Sequence, residues 1–121
     1  KGCQIIHGGV TAMGLLTKQG PPCWHPADEK TKQFCATITK QYPNLTEIAY
    51  NYVNKNIDID KIMIGPCSLE ELDSYLGWSR NKEGDQFIEN IRELFISNGM
   101  DQIWIEPNTQ HNLEISNNIS L

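Results

Sequence analysis

Apolar residues recur at helical spacing in several parts of the chain, and this pattern predicts four amphipathic helices. The first is expected from about Glu29 to Lys40, before Pro43, and the fourth from about Asp85 to Ser97. Their apolar positions are Phe34, Cys35, Ile38 and Tyr42; Leu45, Ile48, Ala49, Tyr52 and Val53; Leu69, Leu72 and Leu76; and Phe87, Ile88, Ile91, Leu94 and Phe95. The second set follows the helical period most closely, and core packing is predicted for Tyr52 and its neighbour Tyr50.

Polar residues before three of these segments predict where the helices begin. Asp28 is placed to cap the first helix. Asn44 and Glu47 have the spacing of a capping box, as do Ser68 and Glu71. The second helix is therefore expected to begin after Asn44, and the third after Ser68.

Two short apolar runs predict strands that alternate with the helices. One lies in "CQIIHGG" at residues 3–9, and the other is Ile62-Met63-Ile64. A continuous apolar run suits a strand buried on both faces of a parallel sheet, so the pattern is typical of α/β proteins. Two strands leave unpaired backbone edges, and a larger sheet is therefore expected to complete them.

Charge, hydropathy and cysteine spacing narrow the classes of function. The formal net charge is −5, and an acidic chain without a basic cluster is not expected to bind nucleic acid. No apolar run is long enough to span a membrane, and no signal peptide is evident. The four cysteines have no paired spacing, so no metal site is predicted, and reduced thiols in a cytoplasmic protein are expected.

The connector between the first strand and the first helix has an unusual composition. It reads "AMGLLTKQGPPCWHPA" over residues 12–27 and is rich in Gly and Pro. This motif resembles the loop after the seventh strand of aldo-keto reductases, most closely the subgroup that includes L-galactose dehydrogenase and D-threo-aldose 1-dehydrogenase. The similarity continues through "LTEIAYNYVN" and "IMIGPCSLEEL", so it covers roughly residues 2–76.

The resemblance implies an α/β fold in which this chain is the C-terminal third of a (β/α)₈ TIM barrel. Such barrels typically take ~250 residues, so the barrel is incomplete here. Residues 1–99 would supply strands seven and eight with their helices, and residues 100–121 would form a polar C-terminal tail. The implied whole protein is an oxidoreductase that uses NAD or NADP to interconvert aldehydes or sugars with alcohols or lactones.

The resemblance also implies which residues contact the nicotinamide nucleotide. Gly14 and Leu16 match the loop that packs on the pyrophosphate and ribose, although plain turn geometry equally accounts for Gly14. Gly65 and Ser68 match a cofactor-binding G-x-x-S at a helix N-terminus, where anions bind readily. Helix capping by Ser68 explains the same pattern without a ligand. Glu71 is expected to repel a 2′-phosphate, which favours NAD over NADP.

Trp24 and His25 match the substrate side of the family loop. Trp24 is predicted to form a wall against a sugar-like substrate, with a buried loop anchor as the alternative. His25 is assigned to substrate binding by the resemblance, and a hydrogen bond within the loop is the simpler role. The Asp, Tyr, Lys and His motifs that carry catalysis in the family do not occur here, so no catalytic residue is assigned.

Three hypotheses for function remain open from the sequence. The chain is the C-terminal part of an active enzyme, a non-catalytic relative that acts as an interaction module, or an independent small domain with a ligand in the Trp24 loop. The second is motivated by two departures from the family. Gly9-Val10-Thr11 replaces Ser-Pro-Leu, and Ser74-Tyr75 replaces Glu-Asn.

Overall fold

The structure, a computed structural model, describes residues 2–80 and 85–101. Its elements are β1 (Ile6–His7), α1 (Glu29–Gln41), α2 (Leu45–Asn54), β2 (Lys61–Ile62), α3 (Leu69–Arg80) and α4 (Asp85–Ser97). This order of strands and helices confirms the predicted one. The predicted polar tail lies outside the described residues from position 102 onward.

The two strands pair in parallel, with Ile6 opposite Lys61 and His7 opposite Ile62. The amide of Met63 continues the pairing by donating to the carbonyl of His7 at 2.8 Å. Parallel strands require a long crossover, which the connector, α1 and α2 supply. The carboxyl ends of β1 and β2 therefore meet at one edge of the sheet, and the segments that follow them are neighbours.

Of the two helix caps predicted before α1 and α2, the structure contains the first and lacks the second. The carboxylate of Asp28 accepts the amide hydrogen of Thr31 at 2.7 Å, which confirms the cap of α1. The capping box predicted at Asn44 is wrong, because that side chain makes no capping hydrogen bond. Asn44 has φ −98° and ψ 21° instead of the extended backbone of a cap, since the amide of Leu45 closes a tight turn onto Tyr42 at 3.0 Å.

Helix α2 packs against both α3 and α4 and separates two apolar clusters. The cluster toward α1 and α4 contains Ile38, Leu45, Ile48, Ile88 and Ile91. The cluster toward the sheet and α3 contains Val10, Tyr50 and Val53. A third cluster, made of Leu15, Ala27 and Cys35, holds the connector on α1. Burial raises the pKa of the Cys35 thiol to about 11, so this cysteine stays protonated.

Tyr52 and Met63 were both predicted to be buried but are half or more exposed. Tyr52 is 50% exposed, and Met63 is 63% exposed. Tyr52 borders an apolar groove of about 500 Å³ between α2 and α4, so its outer side is uncovered. Met63 follows β2 in a sheet that has two strands in the described part of the chain, and these described residues leave its side chain largely uncovered.

Helix α3 packs through a different face from the one its leucines predict. Leu69 and Leu76 are 76% and 46% exposed, whereas Tyr75 and Trp78 pack against the cluster around Tyr50. The larger aromatic rings reach α2 across the gap between the helices. The leucine positions therefore face away from the core formed by the described residues.

Candidate membrane-spanning helices and candidate metal sites are both absent from the described residues. Within residues 2–80 and 85–101, no helix is both long and apolar enough to cross a membrane. The same residues contain no group of His, Cys, Asp and Glu side chains that could hold a metal ion. All four cysteines are free thiols.

The apolar side chains exposed on the sheet predict self-association of the 121-residue chain. Ile6 is 53% exposed on β1, whose edge is open in the described structure. We expect Ile6→Lys to reduce association, as measured by sedimentation velocity over a range of protein concentrations. Ile57→Lys, at a 97% exposed position outside the sheet, is the control and should sediment like the parent chain. A monomeric parent chain with concentration-independent melting would contradict the prediction.

Candidate functional site

A cleft of about 690 Å³ lies beyond the carboxyl ends of β1 and β2. The segment after β1, the turn between α1 and α2, and the beginning and inner face of α3 form its walls. The residues that line it are Thr11, Thr17, Lys18, Gln19, Pro43, Asn44, Thr46, Glu47, Gly65, Cys67, Glu71, Ser74, Tyr75 and Trp78. Ligand sites of parallel α/β sheets lie at this edge, because loops from adjacent strands converge there.

The connector after β1 turns sharply around Gly14. Ala12, Met13 and Gly14 all have positive φ, at 50°, 52° and 96°. A Cβ atom on Gly14 would lie 2.9 Å from the carbonyl oxygen of Gly20. The hydroxyl of Thr17 closes the same turn by donating to the Gly14 carbonyl at 2.8 Å. Glycine is thus required by the backbone itself at position 14, whether or not a nucleotide binds there.

Leu16 attaches the connector to α2. Its carbonyl oxygen accepts a hydrogen bond from the hydroxyl of Thr46 at 2.7 Å. Its side chain is half-buried and lines the apolar groove between α2 and α4 instead of the cleft. The side chain therefore packs in the core, and only the backbone around Leu16 borders the loop that forms the cleft wall.

His25 joins two distant parts of the connector. Its side chain is buried, and Nδ1 accepts the amide hydrogen of Ala27 at 3.1 Å. The ring proton then resides on Nε2, which donates to the carbonyl of Ala12 at 3.0 Å. The hydrogen-bonding role within the loop is therefore confirmed. Trp24 is 68% exposed and does not line the cleft, so the described part of the chain does not bury it as a loop anchor.

The segment after β2 forms a capped helix start beside the cleft. The hydroxyl oxygen of Ser68 accepts the amide hydrogen of Glu71 at 3.1 Å, which confirms the predicted cap. The carboxylate of Glu71 returns to the amide of Cys67 at 2.7 Å. Gly65 lines the cleft, and its Cα faces open space. Gly65 thus leaves room for a ligand, whereas the Ser68 side chain is already engaged.

Two carboxylates offset the partial positive charge at the N-terminus of α3. Glu70 and Glu71 both lie in the first turn. A hydrogen bond from its own backbone amide, with a second from Ser68, lowers the pKa of Glu70, so this side chain is ionised at neutral pH. Among the described residues that line the cleft, Lys18 is the cation and Glu47 and Glu71 are the carboxylates. The α3 side of the cleft is therefore unfavourable for a phosphate group.

The aromatic residues of α3 form the part of the cleft wall that sequence reasoning missed. Tyr75 and Trp78 line it with ring centroids 5.0 Å apart, and the buried Tyr50 lies behind them. Burial, with a smaller contribution from the Glu71 carboxylate, raises the pKa of Tyr75 and keeps its phenol neutral. The spacing of these rings four and seven residues after Glu71 is the sequence signal that could have identified this face.

The structure thus separates the residues predicted to bind ligands into two groups. Gly65 lines the cleft directly, and Gly14 and Ser68 shape the two backbone segments that form its walls. Leu16 and His25 hold the connector through packing and hydrogen bonds. The cofactor and substrate contacts proposed for these residues and Trp24 remain predictions.

Comparison with curated proteins relates part of this chain to a dehydrogenase. The chain is 34% identical over 77 residues to L-galactose dehydrogenase of Arabidopsis thaliana. The match covers 60% of this chain and 24% of that enzyme, so the chain spans about a quarter of the length of its relative. No family model matches the sequence. The similarity supports an aldo-keto reductase-like relationship for the matched segment.

The turn at Gly14 predicts a specific sensitivity to added volume. Gly14→Ala should lower the free energy of unfolding by about 1–3 kcal/mol, because the new Cβ meets the Gly20 carbonyl at a positive φ. The control is Gly77→Ala in α3, where a Cβ meets nothing within 4 Å. It should stabilise the chain by about 0.5–1 kcal/mol. Urea unfolding measures both, and equal effects would contradict this account.

Replacing His25 should destabilise the connector more than replacing the adjacent Trp24. His25→Leu leaves the Ala12 carbonyl and the Ala27 amide without their ring partner, which should cost about 2–4 kcal/mol in unfolding free energy. Trp24→Leu at the exposed neighbouring position should change stability by no more than about 0.5 kcal/mol. Thermal and urea unfolding compare the variants. A His25→Leu chain as stable as Trp24→Leu would show that the ring does not hold the loop.

Proposed function

We propose that this chain contributes strands seven and eight, with their helices, to an aldo-keto reductase-like (β/α)₈ barrel. In this arrangement β1 and β2 are adjacent strands of the barrel, and further strands pair with their open edges. The parallel pairing of β1 with β2 and the partial similarity to a dehydrogenase support the proposal. The exposed apolar side chains of Ile5, Ile6 and Met63 would be covered by the other strands.

The cleft at the carboxyl ends of β1 and β2 is the observation that carries the functional part of the proposal. Its position is that of the active-site face in barrels of this kind. The cleft is formed by the two segments that resemble cofactor-binding loops, one after each strand. We assign it to a nicotinamide nucleotide, which supplies or accepts hydride when bound.

The residues of this chain would bind and orient the nucleotide. Lys18 offers the positive charge for a pyrophosphate, and the open backbone at Gly65 allows close approach. The carboxylate of Glu71 can accept hydrogen bonds from ribose hydroxyls. Its charge disfavours a 2′-phosphate at the same place, so NAD is the preferred cofactor.

The reaction proposed for the whole protein interconverts aldehydes or sugars with alcohols or lactones. Its general acid or base would come from other strands of the barrel, because the motifs of the catalytic residues do not occur in this sequence. Trp24, exposed on the connector, is available to contact a sugar-like substrate. The connector held by His25 would keep this wall in place.

A non-catalytic role in protein interaction is the second candidate. The observation that favours it is the pair of carboxylates, Glu70 and Glu71, at the N-terminus of α3, where an anion would otherwise bind. In this case the cleft would bind no dinucleotide. The exposed apolar groove and strands would instead be covered by a partner protein.

Extension of the reading frame upstream of Lys1 tests the barrel directly. The enzyme proposal expects about two hundred further residues with the Asp, Tyr, Lys and His motifs, as the size of the barrel requires. Purified extended protein should then oxidise or reduce sugars with NAD or NADP. A start codon immediately before Lys1, combined with no NAD binding in calorimetry, would favour the interaction module.

The charge of Glu71 predicts the choice between the two nucleotides. Glu71→Gln keeps an acceptor for the Cys67 amide but removes the negative charge. We expect it to increase NADP affinity relative to NAD by about fivefold, from a like-charge repulsion of about 1 kcal/mol in water. Asp73→Asn, an exposed site on the same helix, is the control. Calorimetric titrations with both nucleotides measure the ratio, and an unchanged ratio in Glu71→Gln would place the 2′-position elsewhere.

A further inference from the structure

The apolar groove between α2 and α4 is separate from the cleft. It encloses about 500 Å³, and its described lining residues include none of those that line the cleft. The buried side chains of Ile48, Ile88 and Ile91 line it, whereas Tyr52 and Ile96 border it and are 50% and 46% exposed. Helix α4 lies beyond the segment that resembles aldo-keto reductases, so the resemblance assigns this groove no role.

The end of α4 turns the chain back toward this groove. Gly99 has a φ of 67°, and its amide donates to the carbonyl of Ile96 at 3.0 Å. The amide of Met100 donates to the carbonyl of Phe95 at 2.8 Å, which completes a reversal common at helix C-termini. Asp101, the next residue, lines the groove together with Phe95 and Ile96. The described part of the chain therefore ends at the groove.

The sequence that follows Asp101 is apolar enough and long enough to fill the groove. Residues 102–121 lie outside the described residues, and they begin with Gln102 and the uninterrupted apolar run Ile103-Trp104-Ile105. The groove follows α4 from Ile88 to Ile96, which is about 12 Å along a helix. Four extended residues reach about 13 Å. The apolar run can therefore span the groove without a further linker.

The chemistry of the groove favours an apolar occupant over a charged one. Most of its described lining side chains are aliphatic or aromatic, and α2 and α4 supply them from both sides. The guanidinium of Arg92 pairs with Glu89 at 3.6 Å, and both side chains are more than half exposed, so this charge is engaged at the surface. An indole is the side chain that removes the most apolar area from water in such a groove.

We infer that Ile103-Trp104-Ile105 binds in the groove between α2 and α4 of the same chain, with the Trp104 indole as its anchor. This contact covers the exposed sides of Tyr52 and Ile96 and ties the end of α4 to α2. It goes beyond the proposed function, because it requires neither a barrel nor a nucleotide.

A double-mutant cycle on the full chain tests the contact. Substitutions of residues that touch are coupled, so Trp104→Ala and Ile96→Ala should show a coupling of about 5- to 150-fold in the folding equilibrium constant, measured by urea unfolding. The matched control combines Trp104→Ala with Ile57→Ala, because Ile57 is 97% exposed and does not line the groove. The control pair should be coupled by about twofold or less. Equal coupling in the two pairs would overturn the inference.

Fluorine NMR on the full chain, labelled with 5-fluorotryptophan, measures whether Trp104 is covered. The chain has three tryptophans, and the signal that disappears in Trp104→Phe identifies this one. A soluble nitroxide should broaden the signal of Trp24, which is 68% exposed, far more than that of Trp104. Ile96→Asp places a charge beside the groove and should make Trp104 as accessible as Trp24. Ile57→Asp is the control and should leave Trp104 protected.

Dilution distinguishes the possible occupants of the groove. Protection of Trp104 that persists at low protein concentration supports binding within one chain. Protection that is lost on dilution would assign the groove to a second copy, and an accessible Trp104 at every concentration would leave the groove to a partner protein. Either of these two results overturns the inference. The cofactor proposal is tested separately, because NAD binding at the cleft should be unchanged in Trp104→Ala.

Discussion

The buried imidazole of His25 is the interaction on which the arrangement of this chain depends. It receives the amide hydrogen of Ala27 and donates to the carbonyl of Ala12, so it joins the two ends of a loop that has no regular structure. From Ala12 to Ala27 the backbone has four residues with positive φ, which are Ala12, Met13, Gly14 and Gly20. Held in this shape, the connector places Leu15 and Leu16 on α1 and α2 and Lys18 on the cleft.

Helix α2 contacts the connector and the other elements that surround the cleft. One of its sides packs with α1 and α4, and the other packs with the sheet and α3. Thr46 in its first turn binds the carbonyl of Leu16, which fixes the connector relative to the helix. The cleft is therefore bounded by segments that contact one shared element, although they are far apart in sequence. A substitution in α2 would therefore alter the packing on both sides of the cleft.

The charges around the cleft limit what it can hold. The first turn of α3 carries Glu70 and Glu71, and the Ser68 hydroxyl and the Glu71 carboxylate are used to cap the helix. A helix N-terminus satisfied in this way is a poor site for a phosphate. It remains compatible with neutral hydroxyl groups, and the Tyr75 and Trp78 rings add an aromatic surface to the same wall. A nucleotide bound here would therefore place its phosphates on the connector side.

Much of the local structure follows from the sequence alone, because it depends on neighbouring residues. The helical period located the four helices, Asp28 and Ser68 marked two of their starts, and the apolar runs located both strands. The glycine at position 14 and the motif around it indicated a tight loop and a relationship that the dehydrogenase match supports. These features require only local backbone preferences and side chains a few residues apart.

Only the tertiary structure decided which side chains face the cleft. The Leu16 side chain packs in the core, and His25 holds the loop through hydrogen bonds, which was the simpler of its two predicted roles. The packing face of α3 contains Tyr75 and Trp78 instead of its leucines, because contact with α2 selects the side of the helix that is buried. Residues of the connector, α2 and α3 are brought together by the crossover between parallel strands, and no local pattern encodes that proximity.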